Sequence, residues 1–220
     1  MNGYPAWSDI PVVTKNLIII NVLVFATVSL VPVDIVSFRN DHVSSLFYFL
    51  GLWPFGSEYF RISQVFTHMF HHSGMMHLAM NMMGLYFFGP SVELSLGHKR
   101  FLFAYLFCGF GAMFLQSGMY FLSVQMGYTP SGAFMLGASG AVMGLLGIFS
   151  QIAPNAMIGI IFLPMQFKAS QFVWGLIGLE GTVAIADFMG IISSPVAHFA
   201  HLGGVIAGII LITFLKKRRE

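Results

Sequence analysis

This chain is short of charge. Only 8% of its 220 residues are Asp, Glu, Lys or Arg, against 57% hydrophobic residues, whereas an ordinary soluble domain carries about 25% charged residues. A water-soluble globular fold is excluded on that ratio, and an all-α polytopic membrane protein is expected. Cysteine is nearly absent too. Cys108, the single one, rules out an intrachain disulfide, and within the apolar run Phe101 to Phe110 it reads as an inert thiol, packed or lipid-facing. No linker-like or low-complexity stretch divides the chain, so one domain over 1–220 is expected. The longest basic run, Lys216 to Arg219, reads as a stop-transfer anchor at an anionic leaflet and not as a nucleic-acid-binding surface.

What the chain has in abundance is apolar runs. With about 20 apolar residues per crossing, six spans are predicted, at 16–32, 65–88, 101–122, 134–152, 171–188 and 196–215. The run Leu17 to Val31 follows Lys15 without a small-residue cleavage site, and is read as a retained helix. Between the fourth and fifth spans, Pro154, Asn155, Pro164 and Lys168 break the pattern, so Ala153 to Ala169 is expected to be an interfacial loop. Lys15, Lys99, Arg100, Lys168 and Lys216 to Arg219 fall on one side of this arrangement, and only Arg39 and Arg61 on the other. Because basic residues near span ends stay in the cytoplasm, the asymmetry predicts cytoplasmic N- and C-termini. The connection from Pro32 to Gln64, with Trp53, Phe55, Tyr59 and Phe60, is then extracytoplasmic and is expected to form short helices half-buried at the membrane surface.

Polar groups in these runs are costly and need a reason. Ser139 sits in Gly137-Ala138-Ser139-Gly140, inside an otherwise apolar segment. Such a serine is usually a helix-packing hydroxyl, but other spans offer it partners. His201 shares a helix face with Gly204 and Gly208, at intervals of three and four, and that small-residue face can pack on the Gly140/Gly144 face of the fourth span. Packing of that kind sets His201 near Ser139 as a base for a nucleophile; His198, one turn away, is the rival base. His77 and Asn81, four apart on the second span, project from one face and suit either an oxyanion site or an interhelical hydrogen-bond pair. If the chain before Ser139 is not helical, as Gly132 and Gly137 allow, free N–H groups at the helix start add to that site. His68 and His72 are also four apart, but no H-E-x-x-H pattern accompanies them. Glu180 is a buried acid expected to be neutral or hydrogen-bonded, Asp187 lies near the end of its span, and neither has an obvious claim to complete a triad. A Ser–His dyad is sufficient in principle.

These residues together resemble the rhomboid family of intramembrane serine proteases, bacterial six-span type, over about Thr67 to Gly208. Gly137-Ala138-Ser139-Gly140 resembles the family's G-x-S-G, His201-Leu202-Gly203-Gly204 with Gly208 its H-x-x-G-x-x-x-G, and His77 to Asn81 its H-x-x-x-N. The resemblance implies Ser139 as nucleophile, His201 as base, and His77 and Asn81 joining the Ser139 amide as oxyanion donors. It gives His72 a structural or water-organising character and matches Glu93 to the acid after the second span. It also implies a rhomboid-like fold in a bacterial inner membrane, with transmembrane proteins as substrates, the lipid bilayer as surroundings, and no cofactor or metal required. Substrates would enter past the fifth span, where Phe172, Trp174 and Phe188 could form part of a gate. Two departures stand out: Gln64 and Val65 occupy the place of a frequent Trp-Arg pair, and Met143 that of an aromatic packing on the catalytic histidine.

Two other functions fit the same composition. A rhomboid-like pseudoprotease would bind membrane clients without cutting them, and its usual sign is loss of the serine or histidine. A metal or proton transporter would use His68, His71, His72 and His77, and its stability would depend on metal.

Overall fold

The computed structural model of the protein describes residues 6–30, 45–128, 134–159 and 165–217. Arg39, Gly132, Pro164, Arg218, Arg219 and the first part of the 32–64 connection lie outside them. Six long helices stand where the six apolar runs were predicted: α1 (Val12–Leu30), α4 (Met75–Leu96), α5 (His98–Gln125), α6 (Ser139–Ile152), α7 (Ala169–Phe188) and α8 (His198–Lys217). Two short helices, α2 (Ser45–Leu50) and α3 (Gln64–Thr67), precede α4. The protein is mostly helical, as a chain in lipid must be to satisfy its backbone internally. Four of the helices, α1, α5, α7 and α8, are long and apolar enough to cross a membrane. Helix α6 is apolar but shorter, and α4 carries His77, Asn81 and Glu93.

Helix α6 is the axis, with α4, α5, α7 and α8 packed around it. Nine of its 14 residues are buried, so its bare face of glycines is turned to neighbours and not to lipid. A Cβ on Gly204 would collide with the Gly140 carbonyl, and one on Gly208 with the Gly144 carbonyl. The α6–α8 seam therefore brings backbone against backbone, the close approach that small residues permit. On the next face of α8, a Cβ on Gly203 would stand 2.5 Å from the Gly111 carbonyl of α5. Cys108 is fully buried beside Gly144, the packed alternative for that thiol. By contrast α7 buries only Ala169, Val173 and Ala184 and shows Trp174 and Leu179 to the outside; it has the fewest buried residues of the long helices.

Two predicted spans and one predicted loop differ in space. The second is not continuous from 65: α3 and a 3-10 turn at His68–Phe70 stop at an extended His71, and α4 restarts at Met75 and runs to Leu96. The fourth begins at Ser139 and not at 134, because Met135 pairs in both directions with Leu52 (2.8 and 2.9 Å) and Gly137 takes a φ of 111°, a conformation that favours glycine and cannot continue a right-handed helix. The 153–169 connection contains an antiparallel ladder, β1 (Met157–Gly159) against β2 (Gln166–Lys168).

Two buried polar side chains anchor the frame. Glu93, 1% exposed, accepts from the backbone N–H of Val13 (2.9 Å) and Thr14 (2.7 Å) and from the Thr14 hydroxyl (2.6 Å). It thus caps the start of α1, where orphan N–H groups and the helix dipole favour a carboxylate. Gln64, also 1% exposed, accepts from the Arg61 N–H (3.1 Å) and donates to the Tyr59 carbonyl (3.1 Å). Around it Tyr48, Trp53 and Tyr59 pack ring to ring. The residue that departs from the family's Trp-Arg pair is therefore the hub of the described part of the first loop, which includes α2 as its short helix.

Candidate active site

Ser139 is the first residue of α6, with Ala138 as its N-cap. The N–H groups of a helix's first turn have no acceptor within the helix, so Ser139 stands where an anion would be welcome. The loop before it is held from the other side: the Gly137 N–H donates to the His68 carbonyl (2.8 Å) and the Ala138 N–H to His72 Nε2 (3.4 Å). At 14 residues, α6 is about 21 Å long, well under the ~30 Å of a bilayer's hydrocarbon core. A helix this short falls short of the full thickness of that core.

His201 reaches the same place through the seam. Gly140, next to Ser139, would put a Cβ 3.4 Å from the carbonyl of Ala200, next to His201. Ser139 and His201 thus flank a backbone-to-backbone contact between α6 and α8. His77 arrives from α4: a Cβ on Gly137 would lie 2.6 Å from His77 Cε1 and 2.7 Å from Nε2, so glycine there makes room for the ring. The ring's other nitrogen, Nδ1, is 3.1 Å from the Ser73 hydroxyl. His72 packs edge-on against His77 at 5.0 Å between ring centres. Ser139, His201, His77, His72 and the glycines 137, 140 and 204 are therefore gathered at one place; Gly208 lies one turn farther down the seam.

Asn81 is partly spent elsewhere. It is 4% exposed, and its side-chain amide donates to the His77 carbonyl of its own helix (2.8 Å), so one amide hydrogen is engaged there. His68 Nδ1 bonds the Gln64 carbonyl at 2.7 Å. The helical spacing that would pair His68 with His72 is lost in the break before α4.

Sequence reasoning left His201 without a carboxylate, and the structure supplies one. Glu180 of α7 sets Oε1 3.1 Å from His201 Nδ1 and Oε2 2.6 Å from His198 Nδ1. Among the described residues these three form the one His/carboxylate group whose donor atoms have metal-ligand spacing, all within 4.8 Å of each other. The signal was present in the sequence, since an ionisable residue inside an apolar helix marks a functional site until a partner is found. Its partner could not be chosen without knowing how α7 is turned toward α8. Met143 packs with Val173 and Val205 where α6, α7 and α8 meet.

Comparison with known proteins bears on this arrangement. Residues 59–218 match the family model described as a Rhomboid domain. The mitochondrial presenilin-associated rhomboid-like protein of Bos taurus is 35% identical over 147 residues, covering 66% of this chain and 36% of that protein. Rhomboid-like protein 11, chloroplastic, of Arabidopsis thaliana is 31% identical over 163 residues, 70% of this chain and 52% of its own length. RHOMBOID-like protein 1 of the same plant is 33% identical over 148 residues, 67% and 33% respectively. The chain thus spans about a third to a half of the length of the relatives it matches.

Proposed function

The chain belongs to the rhomboid family, and from that premise we propose that it is an intramembrane serine endopeptidase, with Ser139 as nucleophile and His201 as general base. The observation that carries this reading is the meeting of the Ser139 end of α6 with the His201 turn of α8 across Gly140 and Gly204. His201 takes the hydroxyl proton as Ser139 Oγ bonds to a substrate carbonyl carbon, and later delivers that proton to the leaving amine. The oxyanion falls to the Ser139 N–H, to His77 and to the remaining Asn81 amide hydrogen. This role requires the Ser73 hydroxyl to donate to Nδ1, so that His77 carries its own proton on Nε2, the nitrogen beside Gly137. Each such donor contributes about 2.7–4 kcal/mol to a transition state.

The substrates are single-span membrane proteins, cut near the extracytoplasmic face beside small residues. A helix ties its carbonyls into i to i−4 bonds, so the cut segment must unwind. The exposed flank of α7, with Trp174 62% exposed, is the side offered for entry; Phe172 and Phe188 lie on the same helix. In this reading one domain makes six crossings, with α4 and the short α6 completing the bundle. The eight-to-two division of basic residues sets both termini in the cytoplasm, for a bacterial inner membrane, the setting of the six-span type.

The test is incubation of the purified, detergent-solubilised protein with single-span substrates, beside Ser139→Ala and His201→Ala and with a chelator. Cutting lost in both variants and untouched by the chelator is expected. Cutting that survives Ser139→Ala refutes the mechanism.

A further inference from the structure

Glu180 lies in the middle of α7, an apolar helix with little else buried. A carboxylate there is costly in hydrocarbon, and it has been taken in from the lipid: its side chain is 13% exposed, like those of His198 and His201. The two histidines are three residues apart at the start of α8, so both rings face α7 and each meets a different carboxylate oxygen. His198 is engaged at both nitrogens, Nδ1 by Glu180 and Nε2 by the Ser194 hydroxyl at 2.8 Å. The Ser194 N–H in turn donates to Asp187 Oδ1 at 2.9 Å. His198 is thereby a strut between the α7–α8 loop and Glu180, and not a free base.

His201 is different. An ionised carboxylate can only accept, so the nitrogen facing Glu180, Nδ1, must carry the proton, and the neutral ring keeps its lone pair on Nε2. That is the tautomer a base needs toward a serine hydroxyl. We propose that Glu180 is the positioning residue of this site, completing a Ser139–His201–Glu180 triad: it fixes His201 as the Nδ1–H tautomer and balances the imidazolium that forms during the reaction. The proposal rests on the protease reading. In the step concerned, the Oγ–H bond breaks and the Oγ–carbon bond forms, the proton goes to His201 Nε2, and the carbonyl electron pair becomes the oxyanion. Glu180 remains a carboxylate, and the proton leaves Nε2 for the amine nitrogen as the carbon–nitrogen bond breaks. Helix α7, which contributes nothing to nucleophile or oxyanion site, thereby supplies the charge that orders the base.

The test compares Glu180→Gln, Glu180→Asp and Glu180→Ala of the full chain. Gln has one oxygen for two rings, and its amide can donate to Nδ1 and so select the wrong tautomer, as happens when the triad aspartate of serine proteases is made an amide. We expect kcat to fall about 100-fold or more in Glu180→Gln and Glu180→Ala with KM changed by less than about 3-fold, and Glu180→Asp to recover part of the loss. Independently of turnover, 15N spectra of histidine-labelled protein, with the His201 signal identified by its loss in His201→Gln, should show Nδ1–H in the parent and a changed tautomer in Glu180→Gln. Parental kcat in Glu180→Gln, or an Nε2–H tautomer in the parent, overturns the triad. So does activity that vanishes on chelation, because the three clustered donors would then be holding an ion. A parent that cuts no substrate overturns the protease reading and the triad with it, and an intact tautomer effect would then mark the Glu180–His201 bond as purely structural.

Discussion

Gly204→Ala adds one methyl group at the seam on which the site depends. Its Cβ would meet the Gly140 carbonyl, 2.7 Å from the carbonyl carbon and 3.2 Å from Cα, where ordinary contact begins near 3.4 Å. Backbone cannot swing aside as a side chain can, so α8 must withdraw from α6 by more than the roughly 0.7 Å shortfall at that carbon, because the carbonyl oxygen lies closer still. Overpacking of this kind costs about 1–3 kcal/mol, offset in part by the roughly 1 kcal/mol by which alanine is the better helix former. The net expectation is about 1–2 kcal/mol of stability lost. Activity should suffer more, because Ser139 and His201 straddle this contact and a misplacement near 1 Å costs on the order of 100-fold in rate; 10-fold or more is expected. Two further substitutions isolate the cause. Gly208→Ala meets the Gly144 carbonyl carbon at 2.9 Å one turn down, and should lose comparable stability with a smaller loss of rate. Gly178→Ala, on α7 with nothing within 4 Å, should lose neither. Thermal unfolding in detergent and initial cleavage rates of the three variants make the assay. Parental behaviour of Gly204→Ala, or equal damage from Gly178→Ala, would refute the argument that backbone contact at this seam sets the site.

Glu93→Ala should destabilise by about 1–3 kcal/mol, since it leaves the Val13 and Thr14 donors without their buried acceptor; an unchanged unfolding midpoint would show that α1 is not held this way. Gly137→Ala must hold an L-residue at a φ of 111° and press on His77, costing about 1–2 kcal/mol and most of the cleavage rate; full activity would mean that this turn does not order the oxyanion site. Gln64→Ala should raise hydrogen exchange at the Arg61 amide by about 10-fold while leaving α8 protected, and equal exchange in parent and variant would remove Gln64 as the hub of the loop.

The long helices were legible because apolar runs and their spacing are local properties, written residue by residue. The approach of the Ser139 end of α6 to the His201 turn of α8 was legible because glycine spacing betrays the faces of helices that approach closely. The break before α4 was not, since His68 to His77 keeps helical spacing in sequence; it is the His68 carbonyl's bond to Gly137, 69 residues on, that belongs to a different geometry. Asn81 looked free to serve an oxyanion because spacing shows which face a side chain leaves from, not which acceptor it finds first.

The sequence by itself determined that this is a helical membrane protein of the rhomboid family, because composition, run length and motif order need no tertiary information. Only the tertiary structure decided that α6 starts at Ser139, that Gln64 replaces a missing pair as the organiser of the first loop, and that Glu180 faces His201. Each of these depends on the rotation and depth of one helix relative to another. That is set by the summed packing of whole faces, glycine against carbonyl along α6 and α8 above all, and no local pattern in the chain encodes it.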